Sequence, residues 1–304
     1  MAAAALIRIC LSVLIGVVWA GSEASAFAEA AQKANDSKTA GFPADAMLVP
    51  ELSQPEMEVR TSESKLYFRF RSLPEKNELR VPRLGNSVRA IHWLSMASKD
   101  MALKPEIETW IITLPERTSD SGGLLVIELD GPVTLMTTPP VEKPDDDGVI
   151  TLPASHGVTR GKNLRYEPQP HKNTIGYWSM EADTVEWKFS TSDATTDATT
   201  FEIDVLQGCG KGHGGSKVSV VLNDQSAAEF DVRETGHFQN FIWRTVGSVS
   251  LKPDAEQTLR IVPLRKISGA VMDVRAVRLV PKNSKAPRPM IPELADPAAL
   301  PAGL

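Results

Sequence analysis

Tyr177, Trp178 and Phe238 are the residues of this chain best suited by type to hold a ligand, with Gln169, Lys172, Asn173, Lys211 and His213 supplying polar groups around them. The C–H bonds on one face of a pyranose are slightly positive and pack on the negative face of an aromatic ring, so rings displayed on loops make sugar platforms. Amide and ammonium groups nearby then bond hydroxyls or anionic substituents. The same rings can equally fill a core. Trp187, at an inward position of a strictly alternating segment, is expected to do so.

The segment Gly208-Cys-Gly-Lys-Gly-His-Gly-Gly-Ser216 offers backbone amides together with Lys211 and His213, which suit a sulfate or uronate. It lacks the spacing of a nucleotide phosphate loop, and a strand rather than a helix follows it. An ordinary glycine-rich connection explains it equally well. The polar run from Arg165 to Asn173 reads as a loop longer than a hairpin needs, stiffened by Pro168 and Pro170. Metal chemistry is not expected, because the histidines show no compact ligand spacing. Cys209 has no third group to orient a base and reads as a buried thiol. No pair of carboxylates stands out as an acid and base.

These residues need a rigid scaffold, and the pattern around them is that of strands. Residues 66–70, 88–94, 110–114 and 124–129 are short apolar or alternating runs, and residues 185–189 and 201–205 alternate apolar and charged residues without a break. Further strands are expected at 217–222, 227–232, 245–250, 258–262 and 271–280. With 22 prolines and 20 glycines punctuating them, the expected class is all-β, as two β-sandwich modules.

The N-terminus carries Arg8, the apolar run from Ile9 to Ala20 and small residues up to Ala26, which reads as a secretory signal over 1–26. The mature chain is therefore expected to be exported, periplasmic or extracellular, without membrane insertion. Cys10 leaves with the signal, so no intramolecular disulfide is expected. Residues 27–46 read as a flexible leader, 47–137 as a first module, and 138–148, rich in Pro and Asp, as a linker. Residues 149–281 form the second module and 282–304 a disordered Pro/Ala-rich tail. A net charge of −5 gives no basic field for nucleic acid.

Two resemblances attach to these residues. The first module, through Lys65–Phe68, Leu79–Leu84, Val88–Leu94 and Val126–Asp130, resembles the small C-terminal β-sandwich of α-L-fucosidases, whose catalytic barrel has no counterpart in this sequence. The second is similar to galactose-binding-like jelly rolls, especially family 6 type carbohydrate-binding modules appended to secreted fucosidases and sulfatases. Ile175–Tyr177, Val185–Trp187, Phe201–Val205, Thr235–Phe238 and Met272–Val274 carry that likeness. It implies that Tyr177 and Phe238 clamp a sugar. Val271 stands where the family places an asparagine, and Ile150–Pro153 lack the glutamates of the family's structural calcium site, so no cofactor is expected. The resemblances imply a non-catalytic protein that binds a glycan, fucosylated or sulfated, with or without a separate hydrolase as partner. The other readings are a fragment or subunit of an α-L-fucosidase- or sulfatase-like hydrolase, and a scaffold or adhesion protein.

Overall fold

A computed structural model describes residues 41–74, 76–94, 101–115, 123–192, 198–254, 256–282 and 284. The signal segment, most of the leader and nearly all of the tail lie outside the described residues. The described chain is β throughout apart from one short 3₁₀ turn, Ala154–His156. Among the described residues, no helix is long and apolar enough to cross a membrane.

The first eight strands are β1 (Met47–Leu48), β2 (Met57–Ser62), β3 (Lys65–Phe70), β4 (Glu78–Pro82), β5 (Val88–Trp93), β6 (Leu103–Pro105), β7 (Thr109–Thr113) and β8 (Leu124–Leu129). They form a five-stranded sheet in the order β1-β2-β3-β8-β5 and a three-stranded sheet β4-β7-β6. Apolar faces such as Leu66, Phe68, Ile91 and Ile127 on the larger sheet, and Leu79, Val81, Trp110 and Ile112 on the smaller, are buried. Burying those faces against each other is what makes two sheets a sandwich.

Twelve more strands follow: β9 (Val141–Glu142), β10 (Ile150–Pro153), β11 (Val158–Arg160), β12 (Arg165–Glu167), β13 (Thr174–Gly176), β14 (Thr184–Phe189), β15 (Thr199–Gly208), β16 (Lys217–Leu222), β17 (Gln225–Asp231), β18 (Phe241–Leu251), β19 (Gln257–Arg265) and β20 (Asp273–Pro281). One sheet runs β12-β13-β20-β15-β18 with β10 also on β20. The other runs β11-β14-β19-β16-β17 with β9 on β14. This is the jelly-roll sandwich expected of the second module. Strict alternation in β14 buries Val185, Trp187 and Phe189 and leaves the residues between them half-buried.

Two features depart from the sequence reading. Arg165–Asn173 is not one long loop, because Arg165–Glu167 pair in antiparallel register with Thr174–Gly176 and only residues 168–173 turn. That hairpin escapes the period-2 signal because Tyr166 and Glu167 are both buried, so no wet face alternates with a dry one. The proline-rich stretch after Thr138 also carries a strand: Val141 and Glu142 lie parallel to Lys188 and Phe189, while every other named strand pair is antiparallel.

The two sandwiches meet along a hydrogen-bonded seam. The Val88 amide donates to Pro168 O at 2.8 Å, and Ser87 Oγ donates to the same carbonyl at 3.0 Å. Arg83 Nη2 donates to Ser155 O at 2.8 Å, with its guanidinium 5.1 Å from the Tyr166 ring centroid. Buried apolar residues of both modules form one continuous cluster, from Val49 to Leu279.

Candidate functional site

Five of the expected site residues, Tyr177, Trp178, Lys211, His213 and Phe238, lie on loops at one end of the sheet that contains β13, β20 and β15. Gly176 closes β13, Asp273 opens β20 and Gly208 closes β15, so the loops leaving these strands share an end. Tyr177 follows β13 directly. Its ring is 48% exposed, and its backbone has φ 59°, in the left-handed region that a bulky side chain rarely occupies. The conformation is imposed from both sides. Ahead of it, a Cβ at residue 176 would collide with Glu167 Oε2 and stand 3.2 Å from Asp273 Oδ1. Behind it, Trp178 is fully buried, donates from Nε1 to Asp183 O at 2.9 Å and accepts the Val271 amide at its carbonyl at 2.8 Å.

Trp178 is therefore an anchor and not a sugar platform, which corrects its expected role: its indole is more useful filling the sandwich than lying in water. The Tyr177 ring lies over cations instead, with the Arg165 guanidinium 3.9 Å and Lys172 Nζ 6.0 Å from its centroid. Such stacking restrains the tilt of the ring.

Below Tyr177 sits a carboxylate pair that the sequence did not single out. Glu167 and Asp273 are both nearly fully buried and converge on Gly176. Lys172 Nζ binds Glu167 Oε1 at 2.6 Å and compensates that charge. Burial, with Glu167 beside it, holds the Asp273 carboxyl well above the ordinary carboxylate range. Their spacing of more than 100 residues hid the pair; only the pairing of both strands into one sheet brings them together.

Phe238 is half-exposed, and its ring covers Gly210: a Cβ there would stand 2.6 Å from Phe238 Cε2. His213 packs against the ring at 5.3 Å between centroids, and its Nδ1 accepts the Ala270 amide at 3.2 Å. The glycine loop does attract an anion, but the anion is its own Glu234, whose Oε2 accepts the Gly212 amide at 2.7 Å. Lys211 is exposed at the tip of this loop. Tyr177 and the Phe238–Gly210 pair are separated by β20, about two strand spacings or ~10 Å.

The remaining expected residues point elsewhere. Asn173 accepts the Tyr166 hydroxyl at 2.8 Å through Oδ1, so this amide oxygen serves the hairpin and not a ligand. Gln169 Nε2 donates to Leu103 O at 3.1 Å across the seam. The free Cys209 is buried, and burial pushes its thiol up to about 12, which leaves it an inert core residue. Among the described residues, no group of three or more His, Cys, Asp or Glu side chains could hold a metal ion.

No protein-family model matches the chain, and no curated protein does. Among solved structures, a GH26-CBM35 β-(1,4)-mannanase of Podospora anserina aligns at 18% identity and TM-score 0.35, over 47% of this chain and 29% of that one. The α-L-fucosidase from Vibrio sp. strain EJY3 aligns at 15% identity and TM-score 0.32, over 78% of this chain and 42% of that one. The C-terminal CBM6 of LamC, a laminarinase from the marine Zobellia galactanivorans, aligns at 15% identity and TM-score 0.34, over 43% of this chain and 98% of the module. The chain thus spans well under half the length of the mannanase and the fucosidase. What those proteins bind or cleave is a property of those proteins, and the likeness to this chain is one of strand layout.

Proposed function

We propose that this chain is an exported, non-catalytic carbohydrate-binding protein, and that its glycan, fucosylated or sulfated, docks on the loop end of the second sandwich. The observation that carries the reading is Tyr177, an exposed ring held in a strained backbone conformation by buried neighbours on both sides. Strain at an exposed aromatic costs on the order of 1 kcal/mol and gives the core nothing, so a role at the surface accounts for it. Tyr177 provides the first platform and Phe238 the second, with Arg165, Lys172 and Lys211 at the edges to bond hydroxyls or anionic substituents. Val271, at the position where the resemblance places an asparagine, is fully buried. Affinity of such an open cleft is modest.

A glycan array probed with residues 27–304, beside Tyr177→Ala and Phe238→Ala variants, tests this. Specific binding by the folded parent that falls at least about tenfold in each variant is expected, equivalent to about 1.4 kcal/mol. Absence of binding by the folded parent overturns it. A second reading has an observation of its own: Met180 and Ile267 on loops and Leu264 near the end of β19 are exposed apolar side chains at this same end, and the Lys266 amide donates to Glu181. In that reading the surface is an adhesion face for a protein, and loss of glycan binding with retained partner capture would select it.

A further inference from the structure

A cleft of about 600 Å³ opens along the seam between the two sandwiches. Its lining includes Arg89, Met101 and Leu103 from the first module and Gln169, His171 and Lys172 from the hairpin turn of the second. The volume lies in the range of sites that hold small ligands. Among the described residues, the lining carries three cationic or cation-forming side chains and no carboxylate. Lys172 is already matched by Glu167; the exposed Arg89 brings positive charge to the opening, and the exposed His171, whose pKa is lowered by partial burial and by Lys172, brings a ring N–H donor.

Both walls are fixed. The Val88 amide and Ser87 hydroxyl hold Pro168 O, Gln169 Nε2 holds Leu103 O, and Arg165 Nη1 reaches Pro105 O at 3.3 Å. From behind, Arg275 donates to His171 O at 2.8 Å and through Nε to Lys172 O at 3.1 Å, so the turn bearing His171 is clamped. Gln169 Oε1 is left buried without a hydrogen-bond partner. A rigid, positively lined cleft binds an anion with little ordering cost.

We infer that the seam cleft is a subsite for an acidic sugar residue, bearing a sulfate ester or a carboxylate, with Arg89 and His171 as its anion-binding groups. It goes beyond the loop-end site, because half of its wall belongs to the first module. Both side chains are exposed, and the one hydrogen bond of Arg89 given by the structure is a long contact with Asp130 O at 3.5 Å, so their removal is expected to leave the fold intact.

Isothermal titration of the full mature chain with a sulfated fucan oligosaccharide, its desulfated counterpart and an oligogalacturonate tests the assignment. Arg89→Ala/His171→Ala and Tyr177→Ala variants are titrated alongside, with melting temperatures as a folding check. The parent is expected to bind at least one acidic ligand ten times or more tightly than the desulfated one, and more weakly as salt rises. The double variant is expected to lose that preference while its melting temperature stays. The sulfated and uronate arms show which anion the cleft takes. Equal binding of acidic and desulfated ligands, no binding of either acidic ligand, or an unchanged preference in the double variant would overturn the assignment. Loss of all binding in Tyr177→Ala alone bears on the loop-end site, so the two readings fail separately.

Discussion

At the scale of single residues, Asp273 is the most consequential. Its carboxyl is nearly fully buried beside Glu167, and burial keeps it neutral against the pull of Lys172 and Arg275. The folded chain therefore holds this proton up to a higher pH than the unfolded chain, in which an aspartate titrates at about 4. Within that window the native state binds more protons, so stability falls as pH rises toward the raised value. Asp273→Asn removes the burial cost of the charged form. It is expected to stabilise the protein by ~1–3 kcal/mol at pH 8 and to flatten the decline between pH 5 and 8, roughly the range of the measurement. Urea midpoints across that range check it, and a steeper decline in the variant would sink the account. Position 273 falls within an expected strand at 271–280, so its place was legible. Its partnership with Glu167 was not, since alternation tells which face is buried and not which residue lies opposite.

At the scale of elements, the β12–β13 hairpin does more than its six strand residues suggest. Its turn forms one wall of the seam cleft, its Arg165 supports Tyr177, and its Tyr166 receives the Arg83 guanidinium. Arg83 is almost wholly buried, has one unpartnered nitrogen, Nε, and is pushed down to about 10 by burial. Arg83→Ala leaves Ser155 O without its donor and opens a void, and is expected to cost ~2–4 kcal/mol in denaturant unfolding. Arg83→Met keeps the volume without burying a charge, and about 1 kcal/mol or less is expected. Equal losses in the two variants would show that the charge, and not the packing, holds the seam. The strands themselves were readable wherever half-buried polar residues alternate with buried apolar ones, as in β14. The hairpin was read as a loop because Tyr166 and Glu167 are both buried and erase the alternation, and because the contacts of Arg165 with Pro105 and of the turn with Arg275 span 60 and 103 positions. No local pattern reports such distances.

At the scale of the whole molecule, the seam makes the two sandwiches one unit. Their apolar residues share a cluster, and the segment between them is built into the second sandwich by β9 and by the hydrogen bond between His156 and Glu142. Calorimetry is expected to show a single transition, with calorimetric and van't Hoff enthalpies in agreement. Two resolved transitions would mean that the modules unfold independently. The sequence displayed two runs of strands separated by a proline-rich acidic stretch, which is why two modules were legible. Their docking was not, because the contacts that achieve it, the shared apolar cluster and the polar bonds of the seam, join residues distant in the chain.

Pro168 O is where that docking is most concentrated, and it accepts from a backbone amide as well as from Ser87. A strut between main-chain atoms does not depend on which side chains surround it. The width of the cleft is thus set in part by the backbone, whereas its proposed anion-binding groups are two surface side chains that take no part in the bonds holding its walls. Shape and selectivity in this molecule are separate variables, so a change of ligand would need no change of fold.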